Sequence, residues 1–294
     1  GKWSGFVPYN ALPAEYSNKH ALYIDATGSG RPDLMMLGPR SIRVFPSLGA
    51  EGYGEPIMAS GLSELPSFSY SPRDLVAFSD LIGSGDQHIV RVEYGRVHCW
   101  PNLGYGRWGS CKTWSLDMPS EISSDDFNSQ YLYLADLDGL GAADIIYAAP
   151  QGLYIWRNRT GNGFDTPQCF SWPKGFQWDQ LCQLSLSDLF GTGTTCLLLS
   201  QRSPSLRHWV MDFCQGRKPH LMTGMNNNTG SDTKLEYGSS VHEWLNQQLN
   251  KDKRNELPFP VIVLKKSTVT DEVTSNRVVQ TWRYFNGRYD HREK

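Results

Sequence analysis

The stretch Tyr133-Leu-Ala-Asp136-Leu-Asp138-Gly139-Leu-Gly141-Ala-Ala-Asp144-Ile-Ile decides the fold, because the chain carries it in four versions. The others are Tyr23-Ile-Asp25-Ala-Thr-Gly28-Ser-Gly30-Arg-Pro-Asp33-Leu-Met, Ala77-Phe-Ser-Asp80-Leu-Ile-Gly83-Ser-Gly85-Asp-Gln-His88-Ile-Val and Leu186-Ser-Asp188-Leu-Phe-Gly191-Thr-Gly193-Thr-Thr-Cys196-Leu-Leu. Their leading aspartates are 55, 56 and 52 residues apart, a period that belongs to propeller blades and solenoid units.

Working outward, an apolar strand follows each glycine loop, then a short turn, then a second strand: Ile42–Phe45, Val97–Trp100 and Leu153–Trp156. Second glycine-rich turns close these at 49–54, 104–109 and 161–164. Short antiparallel strands repeated without helical periodicity predict an all-β chain, a β-propeller of four-stranded blades. The 294 residues hold about five such units. The reading is one domain over 1–294, with repeats centred on 25–54, 80–109, 136–164 and 188–237. A helix-containing insertion over 239–256 and closing strands over 257–285 complete it. Within the insertion, Val241, Trp244, Leu245 and Leu249 have helical spacing, with Ser240 placed to cap the start. Lys251–Glu256 reads as a solvated charged loop, and Pro258–Leu264 and Val278–Tyr284 as strands.

Composition narrows the function. With 28 Lys and Arg against 30 Asp and Glu, the net charge is −2, so the electrostatic pull of a nucleic-acid binder is missing. No apolar run is long enough to cross a membrane as a helix, and no leader pattern opens the sequence. Six cysteines without a C-x-x-C pair are too sparse for a stapled scaffold and read as mostly free and buried. No zinc-protease, nucleophile-elbow or P-loop motif is present, and the seven histidines are scattered singly. Gly104-Tyr-Gly-Arg-Trp-Gly109 spells G-x-G-x-x-G, but Ser-Cys-Lys-Thr-Trp follows in place of a helix, so it is a hairpin turn. The chain is therefore read as a non-enzyme that requires no cofactor.

The third glycine loop carries the one candidate ligand set. Asp136, Asp138 and Asp144 could converge on a Ca2+ ion, with the carbonyls of Leu140 and Ala142 adding oxygens toward the roughly six to eight that calcium takes. The first loop keeps Asp25 and Asp33, and the second and fourth place His88 and Cys196 at the last position. The alternative needs no metal: the leading Asp accepts hydrogen bonds from its own loop N–H groups in an Asx-type turn, which accounts for all four copies. Ten tryptophans, among them Trp100, Trp108, Trp156 and Trp209, would suit a sugar-stacking face or, since they recur at equivalent positions, the blade core.

The glycine loops resemble FG-GAP/VCBS repeats, the calcium-loop blades of integrin α-type propellers. A longer resemblance runs through Val76-Ala-Phe-Ser-Asp-Leu-Ile-Gly-Ser-Gly85, Trp100-Pro-Asn-Leu-Gly-Tyr-Gly-Arg-Trp-Gly109, Leu134-Ala-Asp-Leu-Asp-Gly139, Lys218-Pro-His-Leu-Met-Thr-Gly224 and Leu257-Pro-Phe-Pro-Val261. In that order the chain is similar, from about Tyr9 to Tyr289, to the B component (TcB, including TcaC- and TcdB-type chains) of bacterial insecticidal toxin complexes, to which SpvB-type virulence proteins are related. The resemblance implies a six-bladed propeller attached to an Rhs-repeat cocoon. Such a propeller docks on a TcA-type pentameric channel and gates release of an encapsulated effector, with a TcC component as further partner. It also implies secretion within a toxin complex, with cytoplasmic residence before release, while the charge balance and the missing apolar run argue against nucleic-acid binding and direct membrane insertion. The competing expectations are a calcium-stabilised adhesion or glycan-binding propeller, supported by the tryptophans, and a polysaccharide-cleaving propeller, disfavoured by the missing acid/base cluster.

Overall fold

The computed structural model describes residues 5–6, 13–14, 21–38, 41–60, 71–248 and 257–289. The charged stretch Lys251–Glu256, Leu249 at the end of the expected helix, and Tyr9 lie outside them. The chain divides into two compact units, Gly1–Ala135 with Gly141–Trp172, and Asp136–Leu140 with Pro173–Lys294. Its architecture is all-β, as expected: five antiparallel sheets, four of four strands and one of three, with one short α-helix among the described residues.

The first unit contains three consecutive meanders. They are β1 (Ala21–Ile24), β2 (Asp33–Leu37), β3 (Ile42–Phe45) and β4 (Ile57–Met58); β5 (Asp74–Ser79), β6 (His88–Glu93), β7 (Arg96–Trp100) and β8 (Lys112–Ser115); and β9 (Leu132–Ala135), β10 (Asp144–Ala149), β11 (Gly152–Trp156) and β12 (Gln168–Phe170). Each sheet keeps its strands in chain order, so every connection is a hairpin-type loop between neighbours. The inner strands are the apolar runs seen in the sequence, and β10 and β11 are buried along their whole length.

Two apolar layers hold the sheets together. Ile24, Met35, Ile42 and Val44 of the first meander pack with Ile89, Trp100 and Trp108 of the second. Val90, Val92 and Val97 of the second pack with Ile145, Tyr147 and Trp156 of the third. Each such fully buried side chain contributes about 1.5–3 kcal/mol. A sheet with one uncovered apolar face would not be stable alone, and the repeat therefore stacks.

The second unit holds β13 (Gln183–Ser187), β14 (Cys196–Gln201) and β15 (Arg207–Asp212), then β16 (Gly224–Asn226), β17 (Ser231–Ser239), α1 (Ser240–Gln248), β18 (Ile262–Asp271) and β19 (Arg277–Thr281). Here the repeat lengthens into a β17–β18 ladder with a bulge at Glu236/Tyr237. The strand expected from Pro258 begins only at Ile262, because Pro258 and Pro260 have no N–H to give a ladder. The helix cap also shifts by one: Ser239 Oγ accepts from Val241 N at 3.2 Å and donates to Gly191 O, while Ser240 Oγ accepts from Val261 N. None of the six cysteines is in a disulfide, and only Cys99 and Cys196 are buried. No described helix is long and apolar enough to cross a membrane.

Candidate functional site

The four glycine loops are built alike. Each leading aspartate, Asp25, Asp80, Asp136 or Asp188, directly follows a strand (β1, β5, β9 or β13), and each ninth residue, Asp33, His88, Asp144 or Cys196, opens the next. Both glycines of every copy have positive φ, from 65° at Gly191 to 93° at Gly141, a region that side chains with a Cβ avoid. The loop thus curls back on itself and aims its N–H groups at the leading carboxylate.

Those carboxylates serve the loop. Asp25 accepts from Ser29 N and Gly30 N, and Asp80 from Ile82 N, Gly83 N and Gly85 N. Asp136 Oδ1 accepts from Gly139 N at 2.8 Å and Leu140 N at 3.1 Å, and Asp188 from Thr192 N and Gly193 N. All four copies therefore make the Asx-type arrangement, whatever stands at their other positions.

The ninth position has a separate duty. Asp33 Oδ1 accepts from Ser47 N, His88 Nδ1 from Asn102 N and Asp144 Oδ1 from Asn158 N, each donor 14 residues further on. The side chain at the head of one inner strand thereby fixes the end of its hairpin partner. A histidine can replace the aspartate because a neutral imidazole nitrogen also accepts. With Nδ1 accepting, the His88 proton is on Nε2, which faces Asp80 Oδ1 at 3.3 Å and Ser84 Oγ at 3.1 Å. Burial lowers the His88 pKa, and the Asp80 charge opposes that shift only in part.

A third element was missed in the sequence. Asn158 Nδ2 donates to Leu81 O and Ala143 O while its Oδ1 accepts from Gly161 N, and Asn102 Nδ2 donates to Asp25 O while its Oδ1 accepts from Gly104 N. Each asparagine ties its second turn to the glycine loop of the preceding repeat. In the second unit Cys214 Sγ makes the same reach to Leu137 O, and all three ties span 77 residues. The readable signal was Asn two residues after Trp100 and after Trp156.

The expected ligands of the third loop are thus engaged one by one. Within the first unit, Asp144 is buried and holds Asn158 N, with Arg157 Nη1 at 3.6 Å from its second oxygen. Within the second, Asp138 Oδ1 accepts from Leu140 N, and His220 Nε2 lies 4.0 Å from Asp138 Oδ2. The Lys218 side chain reaches the same loop, since a Cβ on Gly139 would meet Lys218 Cε at 2.9 Å. The conspicuous Lys218–Gly224 segment so brings a lysine and a histidine to Asp136–Leu140. Among the described residues no three His, Cys, Asp or Glu side chains are grouped to hold a metal. The tryptophans raised for sugar stacking are mostly internal: Trp100, Trp108 and Trp156 are buried, and Trp209 packs edge-on against Phe176.

Within each unit, the glycine loops and second turns present exposed apolar side chains. Leu103 and Tyr105 are exposed in the first unit, and Leu140, Leu189 and Phe190 in the second. The rigid parts below them are strands and buried carboxylates, the arrangement in which loops carry recognition.

Comparison with known proteins places this arrangement. The family "Insecticide toxin TcdB middle/N-terminal region" matches residues 158–294. The structure of a mutant Photorhabdus luminescens Tc holotoxin pore matches all of this chain at 39% identity and a TM-score of 0.90, over 14% of its own chain. The crystal structure of TcdB2–TccC3 without the hypervariable C-terminal region matches all of it at 36% identity and a TM-score of 0.71, again over 14%. The chain thus spans about one seventh of the length of these matched chains. A lectin of Agrocybe aegerita that recognises terminal N-acetylglucosamine shares the fold alone, at 17% identity and a TM-score of 0.51, over 89% of this chain and 65% of its own. No curated protein matches.

Proposed function

Because the chain belongs to the TcB-type family of insecticidal toxin-complex components, we propose that it is the propeller segment of a B component, a non-catalytic part that docks on a TcA-type pentameric channel and gates release of an effector. The meanders are then blades, and the Rhs cocoon and a TcC chain are its partners in the secreted complex. One observation carries the reading: the whole chain superposes on part of a Tc holotoxin pore at a TM-score of 0.90. The physical design supports it. Buried strands and hydrogen-bonded loop bases hold exposed loop tips in place, which suits a docking part that must keep its shape. Glycan binding has less support, since the tryptophans that would stack on sugars are largely buried.

Retention of the B component on an immobilised TcA-type pentamer tests the proposal. Exchanging the loop tips at the glycine-loop end, or those at the opposite end of the sheets, is expected to abolish retention in one of the two variants with Tm nearly unchanged. Retention by both variants removes the docking role.

A further inference from the structure

Outside the glycine loops, one face of the β5–β8 sheet carries a chain of side chains that the docking role does not use. Asp74 of β5 lies 2.8 Å from Arg91 Nε of β6, and Arg91 Nη2 lies 3.3 Å from Glu93 Oε2. Glu93 Oε1 in turn is 3.1 Å from His98 Nε2 on β7. A carboxylate only accepts, so the imidazole proton is on Nε2 and Nδ1 carries the lone pair. Two groups approach that lone pair: Thr113 Oγ1 at 3.0 Å and Cys111 Sγ at 3.9 Å, with 3.8 Å between Thr113 Oγ1 and Cys111 Sγ.

We propose that Cys111, His98 and Glu93 form a nucleophile, base and orienting group, and that Cys111 is a site of covalent modification by small soluble disulfides. The order is that of activated thiols in general, with the base beside the sulfur and a third group fixing the base. Access fits. β8 is the outer strand of its sheet, Cys111 immediately precedes it and is partly exposed, and Lys112 and Thr113 are exposed. The remaining charges on this face are Arg91 and Asp74 behind Glu93, while Lys112 pairs with Cys99 and lies on the opposite face of the sheet.

The step is thiol–disulfide exchange. The Cys111 proton passes to His98 Nδ1, directly or through the Thr113 hydroxyl, and Glu93 stabilises the resulting imidazolium. The Cys111 sulfur attacks one sulfur of the disulfide, a mixed disulfide forms as the reagent's S–S bond breaks, and the departing thiolate takes the proton back. The other thiols lack this arrangement in instructive ways. Burial pushes Cys99 up to about 12, and burial also raises Cys182, beside the Asp179 carboxylate. Cys169 on β12 is exposed and serves as the reference thiol.

The test uses a dithiodipyridine as the disulfide, with thiopyridone release giving the rate and peptide mass spectrometry the position. Cys111 is expected to react at least about ten-fold faster than Cys169, and His98→Ala to remove that advantage. Added free imidazole should restore part of the rate in His98→Ala, which a purely structural histidine would not allow. His98→Gln keeps a polar group against Thr113 but supplies no base, so it should react as slowly as His98→Ala with an unchanged melt. A Cys111 rate equal to that of Cys169, a full rate in His98→Gln, or no response to imidazole overturns the proposal.

Discussion

The backbone N–H of Asn158 donates to Asp144 Oδ1 at 2.7 Å, so the carboxylate that opens β10 holds the residue two beyond the end of β11. Asp144 also faces the Arg157 guanidinium at 3.6 Å. Asp144→Ala should leave a buried N–H and a cation without their acceptor and cost about 2–4 kcal/mol. Asp144→Asn, which keeps one acceptor oxygen, should cost less. Urea denaturation of the two variants against the parent checks the ranking.

Asn158 uses both amide hydrogens and its oxygen at once. Asn158→Ala should therefore destabilise by about 2–4 kcal/mol. Asn158→Asp should be no better, because its carboxylate would face the carbonyls of Leu81 and Ala143 that the amide now satisfies. If the aspartate variant melts with the parent, the tie has been misread.

At Gly161, φ is +80° and a Cβ would come within 3.0 Å of Ile82 Cα. Gly161→Ala adds backbone strain to a clash with main chain and should cost about 2–4 kcal/mol. By contrast, Gly85→Ala meets nothing within 4 Å at φ +86° and should cost only the strain, about 1 kcal/mol. Equal melting temperatures for the two variants would contradict this ordering.

Neutral His88 is the form that accepts from Asn102 N. Its pKa is lowered in the fold by burial, so the unfolded chain takes up the proton first as pH falls. The stability linked to His88 is then complete above the ordinary histidine value of about 6.5 and declines as pH drops from there toward the lowered folded value. His88→Asp supplies the same acceptor that Asp33 and Asp144 provide and should remove this decline. Thermal melts between neutral and mildly acidic pH should show the parent losing more Tm than the variant, and parallel loss would refute the assignment.

Calcium at Asp136, Asp138 and Asp144 stays a proposal, and one measurement decides it. Since Asp136, Asp138 and Asp144 already serve backbone N–H groups, melts in calcium and in EDTA are expected to coincide. A calcium-dependent rise in Tm that Asp138→Ala abolishes would restore the three-carboxylate site.

The period of the repeat was fully legible because it is written in residue types with few alternatives. Two positive-φ positions per loop demand glycine, and the sequence marks the limits of β3, β7 and β11 to within a residue. What was not legible depends on partners distant in the chain. The acceptor role of Asp33, His88 and Asp144 belongs to the hairpin across from them, and its chemistry tolerates both carboxylate and imidazole, so no single residue type announces it. The Cys111–His98–Glu93 group was equally hidden, since three strands bring it together and its histidine stands alone in the sequence.

The 77-residue reach of the Asn102, Asn158 and Cys214 ties sets a timetable for biosynthesis. A glycine loop cannot receive its tie until the following repeat has left the ribosome, an interval of about 4–15 s at roughly 5–20 residues per second. Until then the carbonyls of Asp25, Leu81 and Leu137 wait for these donors. A nascent repeat is therefore completed by its successor, and a single repeat expressed alone should not reach the native state.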